Sequence, residues 1–163
     1  MRPTGHIILA AAVGVGVATA TGSPWALATT IGTGVFVDSD HTLDYYQWFV
    51  RGKTDRVYYL LHAWEHLALL SAATVWSSYN PLLVGATLGY MSHLLADQIA
   101  NHAYLFTYSL IYRAKHRFMM SKISPWTVEG SRADFLSSVG TMPFGKQLTP
   151  WAARLLRRIS SDT

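Results

Sequence analysis

Residues 57–75 read VYYLLHAWEHLALLSAATV, an apolar run in which His62, Glu65 and His66 fall within five positions. A helix needs about 20 residues to cross a bilayer, so a run of this length is expected to be a membrane helix. At roughly 100° per residue, His62 and His66 lie about 40° apart on one face, with Glu65 about 60° to the other side of His62. A single histidine on such a face would be read as a core residue. Three ionisable groups are different, because each charge at the centre of a membrane helix costs about 2.5–3.5 kcal/mol on insertion scales and turns toward a cavity, a partner or an ion.

The whole 163-residue chain is short of charge. Half of its residues are hydrophobic and 13% are charged, against roughly 25% in an average soluble domain. The length allows one domain and a tail. With no cysteine, disulfides, thiolate zinc sites and iron–sulfur clusters are excluded, so any metal must be held by histidine, carboxylate and water. The formal net charge is +4, but Arg2 stands before the first apolar run, Arg51, Lys53 and Arg56 share one loop, and nine of the thirteen cations lie at or beyond Arg113. Cations confined to the connections between apolar runs are the pattern of cytoplasmic loops, and no nucleic-acid partner is expected.

Upstream, residues 6–20 form a small-residue helix, HIILAAAVGVGVATA, in which Gly14 and Gly16 offer a surface for close backbone packing. The stretch also has the layout of a signal peptide cleaved after Ala20. Thr21-Gly22-Ser23-Pro24 nevertheless turns directly into a second apolar run, residues 25–37, and a helical hairpin accounts for both runs. The second run stops at Asp38-Ser39-Asp40-His41, followed by Asp44. Negative charge at a helix C-terminus opposes the macrodipole, so a cation is expected beside it.

Downstream, the uncharged turn Ser77-Ser78-Tyr79-Asn80-Pro81 leads to a fourth run that carries His93 and Asp97 at i, i+4 spacing. Residues 119–149 have the Ser, Pro and Gly punctuation of a loosely packed segment. Residues 149–160, TPWAARLLRRIS, are expected to start a helix with Pro150 at its first position. Trp151, Ala152, Leu155, Leu156 and Ile159 fall on one side of it and Arg154, Arg157 and Arg158 on the other, as suits an anionic lipid surface. The expected architecture is all-α. Four transmembrane helices form a small bundle over residues 1–112, and a basic cytoplasmic tail, residues 113–163, ends in an amphipathic interfacial helix at about 150–160. Both external turns lack Lys and Arg, which places a multi-pass protein in the cell inner membrane with both termini cytoplasmic.

That topology brings His6, the 38–41 cluster, His62 and His66, and His93 and Asp97 to one depth near the inner face. Leaving such groups unpaired would cost on the order of 10 kcal/mol, comparable to the roughly 5–15 kcal/mol stability of a whole domain. A shared metal removes the penalty. The expected ligands are His6, Asp38, His41, His62, His66, His93 and Asp97, with Glu65 and Asp40 as the bases that manage the proton of a water. Imidazole and carboxylate ligation suits zinc first, then manganese or iron. Seven ligands exceed the needs of one tetrahedral ion, so one or two ions are expected.

His6, the Asp38-Ser39-Asp40-His41 element, the histidine pair and His93-Leu94-Leu95-Ala96-Asp97, in this order, resemble the LexA-regulated inner-membrane metal-dependent hydrolases over about residues 1–112, and more distantly the zinc-dependent phospholipase C enzymes. Where typical members carry His-Arg-Gly-x-x-His-Ser, this chain has His62-Ala63-Trp64-Glu65-His66, which changes the spacing and adds a carboxylate. The resemblance implies a membrane-embedded metal-dependent hydrolase. Its location beside cationic loops implies membrane lipid as partner and a phosphoester of an anionic, lipid-like amphiphile as substrate. The same pentapeptide matches H-x-x-E-H, in which two histidines hold zinc and the glutamate is the base of a protease. The alternative to an enzyme is a metal- or proton-binding or transport protein that uses the same His/Asp shell without hydrolysis.

Overall fold

Proline opens three of the helices, at a first position where its missing N–H has no helical partner to lose. In the computed structural model, which describes residues 3–127, 130, 133, 136, 137 and 145–161, these are α1 (Pro3–Thr21), α2 (Pro24–Phe36) and α5 (Pro81–Ala100). Asn80 caps α5 by accepting the Leu82 amide at 2.9 Å. The remaining helices are α3 (His41–Tyr45), α4 (Trp64–Trp76), α6 (Leu110–Lys115), α7 (Met120–Ile123) and α8 (Gly145–Ser161). The described residues contain no strand, only an isolated antiparallel bridge between Arg56 and Met119. The fold is all-α.

The expected stop at Asp38 is not a stop. After Phe36 the helix tightens to a 3-10 turn over Val37–Asp40, continues as α3 and widens to a π turn over Tyr46–Val50. A 3-10 turn eclipses side chains three apart, which sets Asp38 and His41 side by side.

Residues 57–75 also depart from the expected single helix. α4 begins only at Trp64, and Ala63 before it is extended, at φ −142° and ψ 126°. The reason is that side chains capture the backbone of residues 58–63 before a helical ladder can. Asp44 accepts the amides of Tyr58 and Tyr59 at 2.7 and 3.0 Å, and Asp40 accepts those of Leu61 and His62 at 2.6 and 3.3 Å. The Tyr90 hydroxyl donates to the Leu61 carbonyl and accepts the Ala63 amide. Arg113 donates to the carbonyls of Tyr58, Tyr59 and His62. Buried backbone groups must all find partners, and here this strap finds them in side chains.

α2 packs against both α1 and α5, α1 against α5, and α4 against α5. The α2–α5 contact is made backbone to backbone. A Cβ on Gly89 would stand 2.2 Å from the Thr30 carbonyl oxygen, and one on Gly85 2.5 Å from that of Ala26. Gly14 packs as expected, 3.3 Å from the Leu27 carbonyl by the same measure, whereas Gly16 faces open space. Threonine hydroxyls stitch the helices together: Thr33 donates to the Ala86 carbonyl at 3.0 Å, and Thr74 meets Thr87 at 2.8 Å. Small residues and hydroxyls at helix contacts are the mode of packing used where solvent is apolar.

Buried polar groups stand beside the apolar core, and many large apolar side chains lie at the surface. Buried positions include His6, Thr30, Asp40, Asp44, His62, His93, Asp97, Thr107 and Arg113, while Ile8, Trp25, Leu69, Trp76, Ile99, Leu105 and Ile111 lie largely exposed, Trp76 by 93%. One helix among the described residues, α1, is long and apolar enough to cross a membrane. α2 and α4, at 13 residues each, are about 20 Å long.

A second core joins Trp48, Val57 and Tyr59 to Met120 and Ile123, with Tyr112 and Trp126 against it. Met120, Ile123 and Trp126, in the expected tail, therefore pack against residues 48–59. Arg113, expected in a cationic interfacial stretch, is wholly buried. α8 packs against Tyr46–Val50 and contains Pro150 in its interior, not at its start. The helix extends upstream through Lys146, Gln147 and Leu148, which favour it, at the cost of the one backbone bond Pro150 cannot make. Of the punctuated segment 119–149, residues 128–144 lie largely outside the described residues.

Candidate metal centre

Four elements supply the site. α1 contributes His6, the 3-10 turn Asp38 and Asp40 with His41 just after it, the strap His62, and α5 His93 and Asp97 one turn apart. The ring of His93 is fixed by its Nδ1–H, which donates to the Gly34 carbonyl at 2.7 Å. The ring of His62 is fixed through its Nδ1, 3.1 Å from Asp40 Oδ1. A carbonyl and a carboxylate accept only, so both Nδ1 atoms carry a proton and both Nε2 atoms point inward. Those two Nε2 atoms face each other at 3.0 Å.

Two carboxylates complete a quartet around them. Asp97 Oδ2 lies 3.3 Å from His62 Nε2 and 3.5 Å from His93 Nε2. Asp38 Oδ1 lies 3.6 Å from the first and 3.5 Å from the second. An ion about 2.0–2.2 Å from four tetrahedral ligands would set them about 3.3–3.6 Å apart, and the four imidazole–carboxylate separations fall in that range, the 3.0 Å between the two Nε2 atoms being shorter. His6 adds an Nε2 3.0 Å from Asp97 Oδ1, off the line of a hydrogen bond, and both of its buried ring nitrogens lack one. His41 adds an Nε2 3.5 Å from Asp38 Oδ1. The rings stack, His6 on His93 with centroids 3.9 Å apart. Two sets of ligand atoms close enough for an ion result: His6, Asp38, His93 and Asp97, and Asp38, His41 and His62.

The donor set fits a divalent metal. It offers imidazole nitrogens turned toward carboxylate oxygens, a buried nitrogen on His6 without a hydrogen bond, and second partners on the far nitrogens of His62 and His93, the arrangement that orients metal-bound histidines. Asp38 and His41 have side chains 25% and 28% exposed, whereas His62, His93 and Asp97 are closed off. The site therefore opens at Asp38 and His41.

Of the residues singled out from sequence, His6, Asp38, His41, His62, His93 and Asp97 converge here. Asp40 adjoins them, spent on His62 and the strap amides. Glu65 and His66 stand elsewhere. Glu65 Oε1 accepts from Ser109 Oγ at 2.7 Å and the Ile111 amide at 3.1 Å, and Oε2 accepts the Leu110 amide at 2.9 Å. His66 Nδ1 lies 3.4 Å from the Tyr90 hydroxyl. With His62 in the strap and His66 on α4, the two do not share a helix face as H-x-x-E-H requires.

Sequence reasoning missed Tyr90 and Tyr108, and it read Asp44 as part of the acidic cluster after the second run and Arg113 as a loop cation, not as groups that hold the backbone of residues 58–63. Burial raises the Asp44 carboxyl to about 6 against the pull of the Tyr58 and Tyr59 amides, with His41 lowering it and Asp40 raising it further. Burial, reinforced by the Asp97 and Asp38 carboxylates, pushes the Tyr108 hydroxyl well up, and its ring lies 5.6 Å from that of His62. Burial lowers Arg113, opposed by Asp40, Glu65 and Asp44, yet a guanidinium stays charged. The i, i+44 relation of Glu65 to Ser109 and the 51-residue reach from Arg113 to His62 leave no local pattern to read. No protein-family model, curated protein or solved structure matches the chain, so the centre stands on its own geometry.

Proposed function

We propose that this chain is a membrane-embedded protein whose divalent-metal centre hydrolyses a phosphoester of an anionic, lipid-like molecule. The observation that carries the reading is the facing pair of Nε2 atoms on His62 and His93, 3.0 Å apart with both Nδ1 atoms already engaged. Two Nε2 atoms at that distance share a proton or lie against a cation, and the carboxylate oxygens that Asp38 and Asp97 bring to the same point favour a divalent cation. A divalent ion bound there supplies Lewis acidity, toward a phosphoryl oxygen and toward water, whose pKa it lowers to about 7.

The chain's own residues do the rest. Asp40 and the Gly34 carbonyl hold the two imidazoles by their Nδ1 atoms and leave both Nε2 atoms turned to the centre. Asp38 and His41 form the open rim at which substrate arrives, and His41 Nε2 is the atom placed to take up a proton there. The Arg56–Met119 bridge sets the basic loop of Arg51, Lys53 and Arg56 beside the segment carrying Lys115 and Arg117, a cationic surface for a phosphate headgroup. Support for embedding comes from the many large apolar side chains at the surface, the apolar α1 and the loops' charge asymmetry, which together favour four spans with both termini cytoplasmic in the inner membrane. The likeness of the His and Asp elements to the LexA-regulated inner-membrane hydrolases points the same way.

A proton shared between the two imidazoles would also relieve the contact, and the hydrogen-bond length of that contact favours proton or metal binding without hydrolysis as the second reading. Elemental analysis of the detergent-solubilised chain is expected to find one or two equivalents of zinc, manganese or iron, lost in His93→Ala. The loaded protein is expected to release phosphate from a short-chain phosphatidate in mixed micelles. Metal-free wild type rules out the metal hydrolase, and metal without phosphate release leaves the binding reading.

A further inference from the structure

Residues 108–113 touch the strap on both sides of His62. On one side the wholly buried Arg113 donates to the carbonyls of Tyr58 and Tyr59, each at 2.5 Å, and of His62 at 2.7 Å. On the other, the Tyr108 carbonyl accepts the Trp64 amide at 2.9 Å, and Glu65 takes the Ser109 hydroxyl and the Leu110 and Ile111 amides. A buried charge held for stability alone is a weak device, since apolar replacements of similar volume often serve as well. Here the guanidinium instead occupies three carbonyls that a helix would otherwise use. The strap is an apolar, helix-compatible sequence continuous with α4, and Tyr59 within it sits at φ 42°, a conformation that a residue with a Cβ adopts only when its surroundings impose it. Without the clip the strap is held by Asp40, Asp44 and Tyr90 alone, and His62, its carbonyl released, can shift from His93.

We propose that Arg113 and Glu65 are positioning residues: from opposite ends of residues 108–113 they hold His62 in the extended strap, and so set the affinity and geometry of the metal centre. The inference rests on reading that centre as a metal site. Cobalt(II) titration of the full-length protein in detergent, followed by its d–d absorption well below the melting temperature, tests it. Arg113→Met and Arg113→Lys should each weaken cobalt binding 10–100-fold, the range for partners that orient ligands, and change the absorption as His62 withdraws. Lysine does not rescue because one ammonium on a flexible stem lacks the planar fork that spans three carbonyls. Thr74→Val loses hydrogen bonds between α4 and α5 remote from the strap, and should lower the melting temperature with wild-type cobalt affinity.

Wild-type affinity and spectrum in both Arg113 variants overturns the inference and leaves the metal centre standing. Cobalt binding weakened as much by Thr74→Val overturns it too. Should the Arg113 variants not fold, Glu65→Gln decides: weakened binding supports the clip, and unchanged binding overturns it. A wild-type protein that binds no cobalt overturns the metal reading and the inference with it.

Discussion

Asp44 shows how a side chain outside the centre shapes it. Both of its oxygens are engaged by strap amides, and it is fully buried. Its carboxyl is raised to about 6, against about 3.9 in an unfolded chain. The folded protein therefore binds this proton where the unfolded chain does not. The stability Asp44 contributes is greatest below about pH 4 and is lost as pH rises through 6, by on the order of 1–3 kcal/mol. Asp44→Asn holds the position neutral at every pH. Thermal midpoints of wild type and variant between pH 5 and 7 should diverge, with wild type losing ground as pH rises. A constant difference would assign the slope to other groups, of which His41 and Asp40 face Asp44 most directly.

At the scale of elements, the contact of α2 with α5 is set by glycine. Because an added methyl on Gly89 meets backbone, 2.2 Å from the Thr30 oxygen, the helices must part. That separation draws His93, one turn beyond Gly89, from the Gly34 carbonyl that fixes its ring. Gly89→Ala should cost at least the roughly 1–3 kcal/mol typical of overpacking and reduce metal content. Gly16→Ala, facing open space on α1, should be neutral or gain up to about 1 kcal/mol of helix propensity. Melting temperatures of the two variants in one detergent check the contrast, and equal losses would mean that the close approach does not matter.

The converging histidines and aspartates were legible because each is an ionisable residue set in or at the end of an apolar run, where it needs an explanation. The strap was not, because VYYLL has the same hydropathy inside a helix as outside one, and the groups that hold it lie 14 to 55 residues away. Arg113 was unreadable for a related reason. Beside Lys115 and Arg117 it looks like one more surface cation, and only the strap's open carbonyls give it a buried place. Glu65, read as a base from its nearness to His66, is fully used as the cap of α6.

For the whole molecule, the embedded reading makes a topological prediction. Single cysteines at Ser23 and Ser78 should react with an impermeant reagent in intact cells, and cysteines at Lys53 and Ser161 only after lysis. Labelling at Lys53 before lysis would reverse the orientation, and uniform labelling of all four would remove the membrane assignment. The assembled centre also has a history in time. His6 and Asp97, which meet at 3.0 Å, are 91 positions apart in the chain, so at about 5–20 residues per second the ribosome delivers the second some 5–18 seconds after the first. During that interval α1 and α2 already exist, and His6 on α1 has no Asp97 to meet. What is ready from the start is the seam of Gly14 against Leu27 and Thr30, uncharged and complete, so the nascent hairpin can form on small residues alone while its charged groups wait for the last ligand helix to be made.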